Sequence, residues 1–591
     1  MQNSINNTPI PYKNSKLLRQ LLLTYRHWYA ASSLPRILKF LLNGIGALLT
    51  KPCTRRNSSS VYINIVNDGD NNKIGIGAEM KLVKFLVTRL NITIFLLLLQ
   101  IIAFLSMTAI VFIRWPIFST LGTLLSFTVF LALVKKDKPS AFKLTWVIVV
   151  LTFQPLGGVL YLIFGDKRPT RKVASYIDEH ALIAKYLDKD DDLPEIHSEN
   201  SKRMSSLFHY IKNVSSYHAY KNTETSYYAF GEDMFEDVLI DLRQAEKFIF
   251  LEYFIIKESA MWDQILDILI AKASAGVDVR LIIDDFGSMK LFTNHYIKKL
   301  RKKGIKIVRF NPLRPKLLMF MNNRDHRKII VIDGYIAYNG GTNIADEYIN
   351  LQSRFGVWKD TGVRLRGAAV WSFTLMFIEM WDIFCQKEER INDYEAYQWL
   401  GHDHSDPILE DGIVIPFGDS PLDHEQLGEN VYIDILNQAQ DYVYIFTPYL
   451  IISENMIYAM RLAVKRGVNV KIVTPGIPDK RLVFRLTRSY YRFLLEAGIK
   501  IYEYTPGFMH AKSFVCDDKI AVVGTINLDY RSLYLHFECA TLIYDSKVID
   551  EIKLDALRSI SLSEEVEMKE TKMSLVGRFV DSILHLFAPL M

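Results

Sequence analysis

The sequence predicts an α/β protein with two tandem lobes, each a β-sheet flanked by helices, after an N-terminal α-helical transmembrane region. Three observations predict it. Three charge-free apolar runs lie between residues 92 and 164. From about residue 225 the chain repeats itself once. Each repeat then carries the same set of polar residues at the same spacing.

Length and composition leave room for this plan. The 591 residues are half hydrophobic, which excludes wholesale disorder and allows large buried cores. Lys and Arg number 71 and Asp and Glu 65, a net charge of +6, which is weak for a nucleic-acid surface on this size of chain. The four cysteines, Cys53, Cys385, Cys516 and Cys539, are scattered and form no CxxC pair, so neither a thiolate zinc site nor a disulfide framework is expected.

Residues 1–90 form a polar, basic extension whose start, MQNSINNTPIPYKNSK, lacks the apolar centre of a cleaved signal. Within it Arg36–Thr50 is too short to span and reads as an interfacial helix. Residues 91–165 hold the apolar runs Ile92–Ile113, Ile117–Val134 and Leu144–Phe164, giving two to three spans. The third contains Pro155 and Gly157-Gly158, which fits a kink and close packing. Basic residues before the runs and at Lys167, Arg168, Arg171 and Lys172 both favour the cytoplasmic side, a pairing that two spans satisfy and three do not. Residues 166–224 read as a connector.

The first lobe spans 225–390, a polar linker 391–411, and the second lobe 412–562. Ala245–Leu251 matches Ala439–Ile445 at an offset of 194, and Gly304–Ile307 matches Gly498–Ile501 at the same offset. Gly276–Ile282 matches Gly467–Val473 at an offset of 191. These β-branched and aromatic runs read as strands, with helical patterns such as Trp262–Ser274 and Asn455–Arg466 between them. That alternation predicts a mixed or parallel sheet in each lobe. The tail, 563–591, includes Met573–Met591, apolar with sparse charges at helical spacing, a second interfacial candidate.

The shared constellation is HxKx4D, six intervening residues, then G-[GT]-x-N. The first copy supplies His326, Lys328, Asp333 and Asn343; the second supplies His510, Lys512, Asp517 and Asn527. Both motifs look like strands, so His and Lys at i and i+2 share a face. Asn343 and Asn527 follow a second strand and a Gly turn and can reach that face. Imidazole, ammonium and carboxamide together make an anion site, and two facing copies could clamp one phosphate. The motif offset is 184, about ten below the strand offsets, which places an insertion in Asn311–Asp325. Its basic and apolar residues, Leu317–Met321 among them, suggest a rim that dips into lipid. Arg481, Arg485 and Arg488 fall on one helix face and could attract anionic head groups.

At these residues the chain resembles the phospholipase D superfamily and, with its apolar runs, the bacterial cardiolipin synthases within it. Supporting stretches are FIFLEYFI, VRLIIDDFGS, WKDT, TPYLI, SYYRFLLEAGIKIYEY and GTINLDYRS, together with WVIVVLTFQPLGGVLYLIFG in the third apolar run. The resemblance covers roughly 90–562 and implies two phospholipase D-like lobes on a multi-pass bacterial membrane protein. It implies a phosphatidyl group passed from one phosphatidylglycerol to another through a phosphohistidine, giving cardiolipin and glycerol. By that resemblance His326 is the nucleophile and His510 the acid and base. Lys328, Lys512, Asn343 and Asn527 hold the phosphate, and Asp333 and Asp517 look structural. Asp360 and Glu538 match the acidic positions that orient the histidines. Neither a cofactor nor a metal is implied, nor a nucleic-acid partner. A hydrolase, or a transferase using another alcohol, keeps the same site; a nuclease of the superfamily ranks below both.

Overall fold

A computed structural model of the chain describes residues 89–136, 139–165, 186–187, 201–312, 322–399, 408, 411–423 and 425–590. The interfacial reading of 36–50, the rim reading of 317–321 and most of residues 166–200 of the 166–224 connector lie outside the described residues.

The first lobe is a seven-stranded mixed sheet. Its strands are β1 (Thr223–Tyr228), β2 (Phe248–Tyr253), β3 (Asp278–Asp284), β4 (Lys306–Phe310), β5 (Lys328–Ile332) and β6 (Ile336–Gly340). A short β7 (Val357–Lys359) lies outside the sheet, and β8 (Gly362–Gly367) completes it. The spatial order is β1-β8-β6-β5-β2-β3-β4. β2, β3 and β4 run parallel, joined by helices, and β5, β6, β8 and β1 extend the sheet antiparallel. β2 is buried at every residue, as expected of a central strand covered on both faces.

The second lobe repeats this plan. Its strands are β9 (Ile413–Asp419), β10 (Tyr442–Phe446), β11 (Asn469–Pro475), β12 (Lys500–Tyr504), the short β13 (Gly507–Met509), β14 (Ser513–Cys516), β15 (Ile520–Gly524), β16 (Glu538–Tyr544) and β17 (Ser563–Glu565). The sheet order is β17-β12-β11-β10-β14-β15-β16-β9, so β10–β12 and β14–β16 take the places of β2–β4, β5, β6 and β8. β17 is an added edge strand, antiparallel to β12. The helices between strands start where the sequence offers a cap. Ser259 accepts from the Trp262 amide at the head of Ala260–Ser274, and Ser453 accepts from the Met456 amide at the head of Glu454–Lys465.

The lobes share a core. Helix Val370–Phe384 is buried at nearly every position and packs on β2, β4 and β5 on one side and β9 on the other. Phe377 stacks on Phe250, and Trp381 is fully buried beside it. Burying each such ring stabilises the joint by roughly 1.5–3 kcal/mol. A second joint is β-structure: β13 pairs parallel with β7 across the lobe boundary.

The apolar N-terminal segment forms helices Arg89–Arg114, Pro116–Lys135, Ser140–Thr152 and Gly157–Phe164. Only Pro116–Lys135, among the described residues, is long and apolar enough to cross a membrane; the apolar stretch Leu98–Arg114 is shorter. The break expected at Pro155 in the third run, Leu144–Phe164, is present, and neither piece is by itself long enough to cross a membrane. That run breaks between Thr152 and Gly157, because Pro155 has no amide to donate and cannot continue the helix. The second piece folds onto Pro116–Lys135, where the Gly158 amide donates to Ser126 Oγ at 2.9 Å. A Cβ at Gly158 would sit 2.8 Å from the Ser126 Cα, so only glycine permits this approach.

Candidate active site

Each motif histidine sits just before a central antiparallel strand, β5 or β14, and is held there by the other lobe. The His326 amide donates to the Phe537 carbonyl at 2.9 Å, and the His510 amide donates to the Lys359 carbonyl at 2.7 Å. The residue following each of those carbonyls is a carboxylate. His326 Nδ1 lies 2.9 Å from both oxygens of Glu538, and His510 Nδ1 lies 2.5 Å from Asp360 Oδ2. Each lobe therefore orients the imidazole of its partner lobe. A carboxylate on Nδ1 fixes one tautomer and leaves Nε2 with its lone pair.

The two histidines line one cavity of about 1020 Å³ between the lobes, together with Asn343 and Asn527. Asn343 Oδ1 accepts from the Ile255 amide at 3.0 Å and its amino group donates to the Tyr348 hydroxyl at 2.9 Å, so its position is fixed. Asn527 Oδ1 is buried without a hydrogen-bond partner. Basic side chains on the wall are Arg324, Arg354, Lys257, Lys480 and Arg531. Tyr348, Trp358 and Phe508 surround the His510 ring, and Phe254 and His536 flank His326.

Lys328 and Lys512 are almost fully buried, beneath the histidines rather than on the cavity wall. Each amine donates to the carbonyl of its own histidine, Lys328 to His326 and Lys512 to His510. Lys512 Nζ also lies 2.9 Å from His510 Nδ1. The resemblance assigns these amines to the phosphate; their ammonium groups lie against the histidine carbonyls, next to the cavity. Burial pushes Lys328 down to about 8 and Lys512 down to about 7.

The remaining titrations follow from enclosure. Burial holds His326 down to about 3 and His510 down to about 4, so both imidazoles are neutral near pH 7. Burial alone would raise Asp360, but the adjacent His510 and Lys512 outweigh it and hold the carboxyl below its usual range. Glu538 likewise stays well below the carboxylate range despite burial, because His326 faces it.

Asp333 and Asp517, the last letters of the motif, lie away from the cavity. Asp333 accepts from the amides of Glu246, Lys247 and Phe248 at 2.7, 2.8 and 2.8 Å, pinning the start of β2 to the β5–β6 turn. Asp517 does the same for Gln440, Asp441 and Tyr442 at 2.7, 3.0 and 2.8 Å.

Sequence reasoning missed His536. It stands 3.7 Å from Glu538, and His326, His536 and Glu538 bring ligand atoms within 4.8 Å of one another, a group able to hold a metal ion. The signal was present in its position two residues before Glu538 on the run that meets His326.

The family model described as "Cardiolipin synthase, PLD-like domain" matches residues 238–360 and 432–558, one match per lobe. A second, "Phospholipase_D-nuclease N-terminal", matches 124–165, from within Pro116–Lys135 to the end of Gly157–Phe164. A cardiolipin synthase of Alkalihalophilus pseudofirmus is 33% identical over 76% of this chain and 88% of its own length. The chain belongs to the cardiolipin synthases of the phospholipase D superfamily. One from Oceanobacillus iheyensis is 33% identical over 78% of this chain and 95% of its own, and an uncharacterised protein of Streptococcus mutans is 45% identical over 78% and 99%.

Proposed function

We propose that the cavity between the lobes moves a phosphatidyl group from one phosphatidylglycerol to the terminal hydroxyl of another. His326 Nε2 attacks phosphorus, a P–N bond forms and the P–O bond to glycerol breaks. The glycerol oxygen takes a proton from His510. The second phosphatidylglycerol then gives its hydroxyl proton to His510 as its oxygen attacks phosphorus, and the P–N bond breaks. Cardiolipin and glycerol leave and both histidines return to their first state. This is nucleophilic catalysis paired with general acid–base work.

The observation that carries the reading is the crossed pair of carboxylates, His326 with Glu538 and His510 with Asp360, on opposite sides of one cavity. His326 is neutral as a nucleophile must be. A bound phosphodiester anion favours the protonated form of the second imidazole, which prepares it as an acid. Asn343 and Asn527 donate to the phosphate oxygens, and Lys328 and Lys512 neutralise charge from beneath. The catalytic lobes sit on a bacterial membrane through more than one pass of the apolar helices. Supporting a lipid setting for two helices, Leu98, Ile102, Ile110 and Ile113 are exposed along Arg89–Arg114, as are Ile117, Leu121, Leu124, Phe127 and Leu131 along Pro116–Lys135.

Purified protein in phosphatidylglycerol vesicles with EDTA tests the reading. Cardiolipin and glycerol in equal amounts, undiminished by the chelator, are expected. Phosphatidic acid in their place would move the reaction to hydrolysis. Activity lost in EDTA and restored by zinc would assign the His326, His536 and Glu538 group a metal.

A further inference from the structure

The helix Leu575–Phe587 carries an exposed apolar stripe on the protein surface. Asp581 and His585 face inward, while Arg578 and Ser582 are exposed. Asp581 accepts from Arg485 Nε at 2.8 Å, and His585 Nε2 lies 2.8 Å from Ser489 Oγ, both contacts on helix Arg481–Leu495. Its apolar residues face outward: Leu575 is 82% exposed, Val576 74% and Phe579 66%, with Ile583 and Phe587 continuing the stripe one turn apart. Water is a poor neighbour for such a face, and a monomer rarely leaves one uncovered.

Two further features say what covers it. The far end of this helix is tied to the apolar N-terminal helices, where Thr145 Oγ1 donates to the Leu586 carbonyl at 2.8 Å. The exposed stripe is therefore continuous with the segment that carries the membrane-spanning candidate. At the near end a cavity of about 510 Å³ opens between the two helices, lined by Arg481, Arg485, Arg488, Lys572 and one acidic residue, Glu570. Arg485 and Arg488 are partly spent on Asp581 and Glu503. Arg481 and Lys572 make no ion pair among the described residues. Basic side chains beside an apolar stripe match the two layers of an anionic lipid leaflet, phosphate outside and acyl chain inside.

We infer that Leu575–Phe587 lies in the surface of an anionic bilayer and that the basic cavity at its N-terminal end holds a lipid phosphate. Helix Arg481–Leu495 then separates two phosphate sites. Its Leu482 and Val483 line the catalytic cavity, while Arg481, Arg485 and Arg488 line the second one. A phosphatidylglycerol held there stands one helix away from the reacting histidines. This rests on the membrane placement proposed above and not on the transfer chemistry.

The test uses the full chain with Leu575→Cys carrying a bimane label, in a Cys53→Ser background; Cys385, Cys516 and Cys539 are buried. The protein is reconstituted in phosphatidylcholine vesicles with rising shares of phosphatidylglycerol and a nitroxide-bearing lipid. Quenching of the label that rises with phosphatidylglycerol is expected. Arg481→Glu with Lys572→Glu should need about tenfold more phosphatidylglycerol for the same quenching. Phe579→Glu, with thermal unfolding in detergent unchanged, should lose quenching without losing the fold. Equal quenching in pure phosphatidylcholine would overturn the phosphate site. No quenching at any composition, or cross-linking of Leu575→Cys between copies, would overturn the membrane surface and assign the stripe to solvent or a second chain. Cardiolipin formation is followed in the same vesicles, so intact turnover with no quenching refutes this inference alone.

Discussion

At the scale of single residues, the crossed carboxylates make a sharp prediction. Glu538→Gln and Asp360→Asn keep the shape but remove the charge that holds each Nδ1 proton, and each should lower kcat by about 10²–10⁴-fold. Thermal unfolding and steady-state turnover, measured together, separate this from misfolding. The buried lysines set a pH dependence. In the free enzyme Lys512 loses its proton near 7 and Lys328 near 8, so the charge facing the phosphate falls as pH rises. kcat/KM should therefore decline from pH 7 to 9, and Lys512→Arg, which keeps its charge, should move that decline upward. Histidine, lysine and asparagine were legible as a spacing because strand alternation fixes which face each takes. The direction of the lysine amines was not, since two long side chains beneath an imidazole can point toward the phosphate or the backbone at equal spacing.

At the scale of elements, the motif aspartates bind the sheet and lie outside the cavity lining. Asp333 takes a positive φ of 53° in the turn after β5 and collects three amides at the start of β2. Asp333→Ala should cost about 1–3 kcal/mol of stability through the amides it strands. The kcat of the folded fraction should stay unchanged, as denaturant titration and specific activity would show. The same element scale shows where periodicity reads well and where it fails. Offsets of 194 residues located β2, β10, β4 and β12, because these parallel strands are short apolar runs that differ little in length. Leu144–Phe164 is one run by composition, and Pro155 within it marked the break, since hydropathy counts side chains while a proline lacks the amide a helix needs. β7 and β13 are three residues each and carry no pattern that would reveal their pairing across the lobes.

At the scale of the whole molecule, duplication has produced one site instead of two. Neither lobe contains a complete oriented histidine: His326 depends on Glu538 and His510 on Asp360, and the pairs are joined by backbone bonds across the boundary. The repeat was visible in the sequence, but this exchange was not, because the partners are 212 and 150 residues apart and only the fold brings them together. The exchange also makes the two halves chemically similar, so the central claim is the division of labour between them. A phosphatidyl ester with p-nitrophenol as leaving group tests it most directly, since that group departs without a proton. In single-turnover mixing, His510→Ala should release one equivalent of nitrophenolate per site and then stall, with the phosphatidyl group on His326. His326→Ala should release none. A burst from His326→Ala with the label on His510, or full turnover in both variants, would contradict the account.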